Sequence, residues 1–134
     1  MNQVLRNGKP YGLLRTVIPL RMHLYCQALA FVQGLSHRAM LGQCAQDFVK
    51  ARPWERGLRW RSSPDPDQVS DLEWAQVAVP LPRRLASDLM KIGDQQGVPM
   101  DSVLYSMLFW YAWEVYPPLY ERVRRRDEGA VCQK

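Results

Sequence analysis

Residues 16–21 read Thr-Val-Ile-Pro-Leu-Arg and residues 77–82 read Val-Ala-Val-Pro-Leu-Pro, so Pro19 aligns with Pro80 further along the chain. Each stretch is followed by an apolar-periodic segment that ends at a glycine, Gly34 in the first copy and Gly97 in the second. A second periodic segment then runs over 36–51 and over 99–116. A repeat of this size describes the whole fold, and we therefore expect one structural unit to occur twice.

The residues of each copy predict a strand followed by two helices. The first element is short and rich in β-branched residues, which favours a strand. Pro82 suits the first turn of a helix, and Gly34 and Gly97 suit the left-handed residue that ends one. Ser36 can cap the next helix. Apolar spacing predicts that the following side chains face the core: Leu24, Ala28, Phe31 and Val32 on the first helix, and Leu85, Leu89 and Ile92 on its counterpart.

One strand and two helices cannot bury their own apolar faces, but two such units can do so together. We therefore expect the strands to pair as an antiparallel ribbon, with the four helices interlocked beneath it. The strand residues that would face the core are Thr16, Ile18, Leu20, Val77, Val79 and Leu81. The second helices carry apolar pairs one turn apart, namely Met40-Leu41, Cys44-Ala45 and Phe48-Val49, matched by Val103-Leu104, Met107-Leu108 and Tyr111-Ala112.

This pattern resembles the ribbon-helix-helix family of DNA-binding proteins. The strongest match is the strand Val77–Leu81 with Pro82, Gly97 and the apolar pairs of residues 103–108, and the weaker match is Thr16–Leu20 with Gly34 and Ser36. The resemblance covers about three quarters of the chain and implies a mainly α fold with a two-stranded antiparallel ribbon. Because both units lie in one chain, it is similar to the tandem members, a single-chain pseudo-dimer like the TraY-type relaxosome proteins of conjugative plasmids and the VirC-type proteins of T-DNA transfer.

The predicted organisation is a single domain over residues 1–134. Within it we assign an N-terminal arm to 1–14, the first unit to 15–51 and the second unit to 74–117. A linker rich in Pro, Gly and Ser covers 52–73, and a basic tail covers 118–134.

Charge is distributed unevenly along this basic chain, whose formal net charge is +5. Residues 1–61 hold ten Lys and Arg against two acidic residues, a net charge of +8, whereas residues 62–134 hold eight against eleven, a net charge of −3. The excess in the first half is compatible with a polyanionic partner. The most apolar run, residues 103–113, has about half the roughly 20 residues of a membrane span. We therefore expect a cytoplasmic protein with reduced cysteines and no membrane insertion.

The family resemblance implies which residues would meet DNA. In that family the ribbon enters the major groove, and the outward strand positions here are Arg15, Val17 and Pro19, with Gln76, Ala78 and Pro80. Base readout is thereby assigned to Arg15, Val17, Gln76 and Ala78. The outward positions are usually polar in the family, so readout here is sparse. Phosphate contacts fall at the start of each second helix, on Ser36, His37, Arg38 and Ser102, although Asp101 opposes an anion in the second copy.

An aromatic stripe at helical spacing, formed by Tyr105, Phe109, Trp113 and Tyr116, has two interpretations. It packs against the linker tryptophans or the C-terminal tail, or it is a docking surface for another protein. The sequence contains no Ser/His/Asp set, phosphate-binding glycine loop or paired carboxylates, and His23 and His37 are too far apart in sequence to suggest zinc. We therefore predict no enzyme activity, no metal and no cofactor.

Three functions are compatible with these observations. The first is an accessory protein of DNA transfer, a relaxosome component that binds double-stranded DNA at a transfer origin and recruits a relaxase. The second is a ribbon-helix-helix transcriptional repressor, and the third is a protein-interaction module that has lost base readout. In the first two the chain acts as a monomeric pseudo-dimer that can oligomerise on DNA. Two diverged halves suit an asymmetric site, which favours the first function.

Overall fold

Strand, helix and helix follow one another twice along the chain. The computed structural model describes the backbone of residues 2–6 and 9–132 and the side chains of residues 12–126. In chain order the elements are β1 (Asn2–Arg6), β2 (Lys9–Pro19), α1 (Leu20–Val32), α2 (His37–Ala51), β3 (Trp74–Pro82), α3 (Arg83–Gln96), α4 (Met100–Trp110) and α5 (Leu119–Cys132), with α4 continuing into a π-helical turn at Tyr111–Val115. The fold is mainly helical with one antiparallel sheet, as predicted.

The sheet has the strand order β1-β2-β3, and both pairings are antiparallel. The expected ribbon is the β2–β3 pair, in which Thr16 lies opposite Val77 and the register runs from Tyr11–Pro82 to Pro19–Trp74. A third strand is added by β1, which pairs with β2 over Lys9–Leu13. The segment that we predicted to be an N-terminal arm therefore contains β1 and the first half of β2. Pro10 and Gly12 are unusual in strands, which is why the sequence pattern did not reveal this half.

The core lies between one face of the sheet and the helices. Thr16, Ile18, Val77, Val79 and Leu81 are buried, as their alternation along the strands predicted, whereas Leu20 is half-buried and is the first residue of α1. The apolar pairs of α2 and α4 are buried with them, except for half-buried Val49. Helix α4 packs against β2 and helix α2 packs against β3, so each strand is covered by a helix of the other unit.

The predicted helix ends are confirmed at three positions. Gly34 and Gly97 have φ values of +71° and +68°, the left-handed conformation that glycine adopts without steric strain. The Ser36 hydroxyl accepts a hydrogen bond of 3.0 Å from the backbone N–H of Ala39 and so caps α2. Pro82, which we predicted in the first turn of the helix, is instead the last residue of β3, immediately before the first residue of α3.

The buried face of α1 differs from the prediction. Leu24, Phe31 and Val32 are 53%, 85% and 80% exposed, and Ala28 is exposed as well. The buried residues of α1 are Cys26, Leu29 and Ala30. This helix has apolar residues on all sides, so periodicity alone could not select the side that packs. Helix α3 is largely polar with one apolar stripe, and there the prediction is confirmed, since Leu89 and Ile92 are buried and Leu85 is half-buried.

The linker between the two units is attached to the core. Trp54 and Trp60 stack with ring centroids 5.6 Å apart, and both contact the ring of Phe48. The backbone N–H of Arg61 donates to the hydroxyl of buried Ser106 at 2.8 Å. Two residues later, the Ser63 hydroxyl accepts from the N–H of Val17 at 3.0 Å and donates to the carbonyl of Val17 at 2.7 Å. The linker thereby supplies hydrogen-bond partners to the N–H and C=O of Val17, on the edge of β2 that β1 does not reach.

We predict that Ser63→Ala lowers the free energy of unfolding by about 1–3 kcal/mol, because it leaves the N–H and C=O of buried Val17 without their hydrogen-bond partner. Urea denaturation followed by circular dichroism measures the change. Ser62→Ala is the matched control, since Ser62 is exposed and adjacent. Equal stabilities for the two variants would show that this attachment does not contribute.

The predicted basic tail is helical over its described part, as α5. The carboxylate of Glu121 is bound by the guanidinium groups of Arg124 and Arg125, and these arginines hold its pKa below the usual value. The guanidinium of Arg125 also lies over the ring of Trp113, 5.2 Å from its centroid. Helix α5 therefore contacts the end of α4.

Candidate nucleic-acid interface

The solvent face of the ribbon carries three of the four residues assigned to base readout. Arg15, Gln76 and Ala78 are exposed. Arg15 lies opposite Ala78, and Val17 lies opposite Gln76. Arg15 and Gln76 are therefore diagonal neighbours, a relation that places their Cβ atoms about 7 Å apart. Within the described residues no ion pair involves Arg15, so its guanidinium is available to an external acceptor.

Val17 does not have the exposure that base contact needs, because it is only 6% exposed. Both of its backbone groups are bonded by Ser63, so the linker lies against this part of β2. Pro80, on the same face, is buried as well, whereas Pro19 is half-buried. Contact of Val17 with a thymine methyl, which alternation along the strand suggested, is not available in this structure. The path of the linker is a tertiary feature that strand periodicity cannot show.

The third strand limits which part of the sheet fits a groove. Neighbouring strands lie about 4.8 Å apart, and the major groove is about 12 Å wide, so two strands with their side chains fill it. Strand β1 pairs with β2 no further than Leu13. The two-stranded part is residues 14–19 with 74–79, and it contains all four predicted readout positions.

The start of α2 retains the features expected of a phosphate contact. Ser36 caps the helix and is exposed, while His37 and Arg38 are half-buried. The His37 ring makes an edge contact with the His23 ring, with centroids 5.5 Å apart. Burial lowers the pKa of both histidines, and nearby His23 lowers the pKa of His37 further. Around neutral pH an anion there would therefore meet helix amides and Arg38, with both imidazoles largely neutral.

The start of α4 is less favourable for an anion than the start of α2. Ser102 is 5% exposed, so its hydroxyl does not lie on the surface, contrary to the prediction. The Asp101 carboxylate accepts the N–H of Ser102 at 2.8 Å, and the Asp101 carbonyl accepts the Thr16 hydroxyl at 2.7 Å. A carboxylate thus takes an amide that an anion would use, while strand β2 covers the serine. The two helix ends are chemically unequal, as Asp101 suggested.

The aromatic stripe of α4 is largely covered by this chain. Tyr105 is buried and contacts Trp74, with ring centroids 6.5 Å apart. Phe109, Trp113 and Tyr116 are half-buried. The C-terminal tail supplies part of the predicted cover, since α5 places the Arg125 guanidinium over the ring of Trp113. The linker contributes through Arg61, whose guanidinium lies 3.5 Å from the centroid of Phe109, whereas the rings that Trp54 and Trp60 contact are that of Phe48 and each other.

Two adjoining cavities flank this stripe, and sequence reasoning did not find them. The first, of about 530 Å³, lies between the linker and α4 and is lined by Arg56, Arg59 and Arg61 with Phe109, Trp110 and Trp113. The second, of about 450 Å³, lies between α1, α4 and α5. Arg61, Phe109 and Trp113 belong to both linings. The signals in the sequence were the aromatic stripe itself and the spacing of arginines 56, 59 and 61, which we had assigned to a linker.

Comparison with known proteins adds no relative, since the chain matches no family model, no curated protein and no solved structure. Within the described part of the chain, no helix combines the length and apolar character needed to cross a membrane. Among the same residues, no three His, Cys, Asp or Glu side chains are grouped closely enough to hold a metal ion.

Proposed function

We propose that this chain is a single-chain ribbon-helix-helix pseudo-dimer that binds double-stranded DNA through its β2–β3 ribbon. The register supports the pseudo-dimer, because Thr16 pairs with its aligned counterpart Val77 at the centre. Exchanging the two copies about that centre converts the Arg15–Ala78 pair into the Gln76–Val17 pair, and both pairs are present. The covering of each strand by a helix of the other unit has the same symmetry.

The observation that carries the proposal is the exposure of Arg15 and Gln76 on the face of the ribbon opposite the core. Arginine can donate two hydrogen bonds to the O6 and N7 atoms of guanine, and glutamine can pair with the N6 and N7 atoms of adenine. Their diagonal spacing corresponds to about two base-pair steps of 3.4 Å. The ribbon thus presents two readout side chains within one groove.

The unequal helix ends support an asymmetric DNA site. A phosphate would be held at the start of α2 by free amides and Arg38, whereas Asp101 and buried Ser102 disfavour one at the start of α4. A homodimer presents two equal helix ends and so suits a palindromic site. This chain presents two unequal helix ends and so suits an asymmetric site. Asymmetric recognition suits an accessory protein of DNA transfer, which marks a transfer-origin-like site for a nicking enzyme such as a relaxase.

Selection of bound duplexes from a random library tests the proposal. We expect enrichment of an asymmetric site in which a guanine and an adenine stand about two steps apart, as the diagonal spacing requires. Affinity for that site should fall steeply with rising salt, because phosphate contacts release counterions. Failure to enrich any duplex would refute DNA binding by the ribbon, and a palindromic consensus would contradict the asymmetric role.

A further inference from the structure

The two cavities beside α4 combine aromatic rings with arginines, and Pro19 is the one residue of the two-stranded ribbon among the residues that line them. Arg59 and Arg61 are exposed, whereas Leu58 before them and Trp60 between them are half-buried. The linker that carries these arginines is held by the Arg61–Ser106 hydrogen bond and by the stacked tryptophans. The arginines therefore project from an anchored segment and not from a free loop.

We propose that these cavities form a binding groove for single-stranded DNA. Groups that bind single strands without sequence preference are aromatic rings on which bases stack and cations that follow the backbone phosphates. The first cavity supplies Arg56, Arg59 and Arg61 beside Trp110 and Trp113, and the second adds Arg21 and the half-buried ring of Tyr25. Each volume falls in the range of roughly 300–1,000 Å³ that accommodates small ligands such as a nucleotide.

Arg61 is the central residue of the groove because it belongs to both linings. Its guanidinium carbon lies over the ring of Phe109, 3.5 Å from the ring centroid. A guanidinium plane held in this way offers its opposite face to a nucleobase, since arginine planes stack on bases as aromatic rings do. The ring of Trp113 lies 6.3 Å from that of Phe109 at an interplanar angle of 25°, so it adds a second near-parallel surface, and both rings line both cavities.

The arginines of the groove would suit an acidic peptide as well as single-stranded DNA, and the aromatic rings beside them favour the DNA. Glu114 is the one carboxylate among the residues that line the first cavity, and the second has none in its lining. A peptide of acidic residues would satisfy the arginines but would leave the aromatic surfaces without a planar partner. Single-stranded DNA suits both the arginines and the rings, because it has backbone phosphates and also exposes the base faces that are stacked inside a duplex.

The test measures binding of a fluorescein-labelled dT12 oligonucleotide to the full chain by fluorescence anisotropy, with quenching of tryptophan fluorescence as a second readout. We expect dT12 to bind and to quench. Arg59→Gln combined with Arg61→Gln should weaken binding at least tenfold, and Trp113→Leu should weaken it about fivefold or more through lost stacking. Lys91→Gln, at an exposed position of α3 outside both linings, is the charge control and should change affinity less than twofold.

Absence of dT12 binding at 100 µM protein in 50 mM salt would overturn the proposal. So would equal weakening by Lys91→Gln and by the arginine pair, or effective competition by a poly-glutamate peptide. The groove does not depend on the ribbon contact, and the two failures are distinguishable. Arg15→Ala should reduce duplex affinity and leave dT12 affinity unchanged, whereas the arginine-pair variant should do the reverse.

Discussion

Replacement of Arg15 with alanine is expected to weaken binding to the selected duplex roughly 5- to 150-fold. One bidentate pair with a base contributes about 1–3 kcal/mol, and that range converts to this loss of affinity. The exposed position of Arg15 at the two-stranded part of the sheet makes it the strongest readout candidate. A mobility-shift titration at fixed salt measures the effect.

Two further variants separate base readout from charge at this position. Arg15→Lys keeps the charge but lacks the planar fork of donors, so it should bind with a weaker preference for guanine at the contacted position. Lys91→Ala removes one positive charge from an exposed position of α3 and should leave affinity nearly unchanged. If Arg15→Ala and Lys91→Ala behave alike, Arg15 contributes only net charge.

Replacement of Phe48 with alanine is expected to lower the free energy of unfolding by about 3–5 kcal/mol, a large part of the stability of a domain of this size. Phe48 is fully buried, and its ring meets those of Trp54, Trp60 and Trp110 at centroid distances of 5.1, 6.2 and 5.6 Å. Its loss opens a cavity and removes the ring on which the linker tryptophans pack. Urea denaturation with tryptophan fluorescence reports both effects.

Phe31→Ala provides the matched control, because the chemical change is the same and Phe31 is 85% exposed. Its effect should stay within about 0.5 kcal/mol, as for most surface substitutions. A cost of several kcal/mol at Phe31 would mean that this face of α1 is covered in solution. A cost below 1 kcal/mol at Phe48 would contradict the aromatic cluster that we describe.

Part of the candidate interface could be predicted from the residues alone. Strand alternation correctly predicted that Arg15, Gln76 and Ala78 are exposed, because alternate side chains of a pleated strand lie on the same face of the sheet. The same rule failed for Val17, where the linker lies against the strand. The rule does not apply to Ser102, which lies on a helix. Ser102 is buried, and the carbonyl of the preceding Asp101 accepts a hydrogen bond from Thr16 of β2.

The cavities beside α4 lay beyond sequence reasoning for a related reason. Their walls come from the linker, α1, α4 and α5, which are separated along the chain. The apolar stripe on α4 was visible as a period, but its neighbours were not. Only the folded chain shows that arginines, and not the linker tryptophans, lie over Phe109 and Trp113.

The sequence by itself determined the features that depend on local chemistry and period. These are the repeated strand–helix–helix order, the left-handed glycines that end two helices, the cap at Ser36 and the buried pairs of α2 and α4. The tertiary structure alone decided the third strand, the side of α1 that is buried, and the burial of Val17 and Ser102. Caps and periods act within a few residues, whereas those choices depend on which distant surfaces compete for the same apolar and hydrogen-bonding groups.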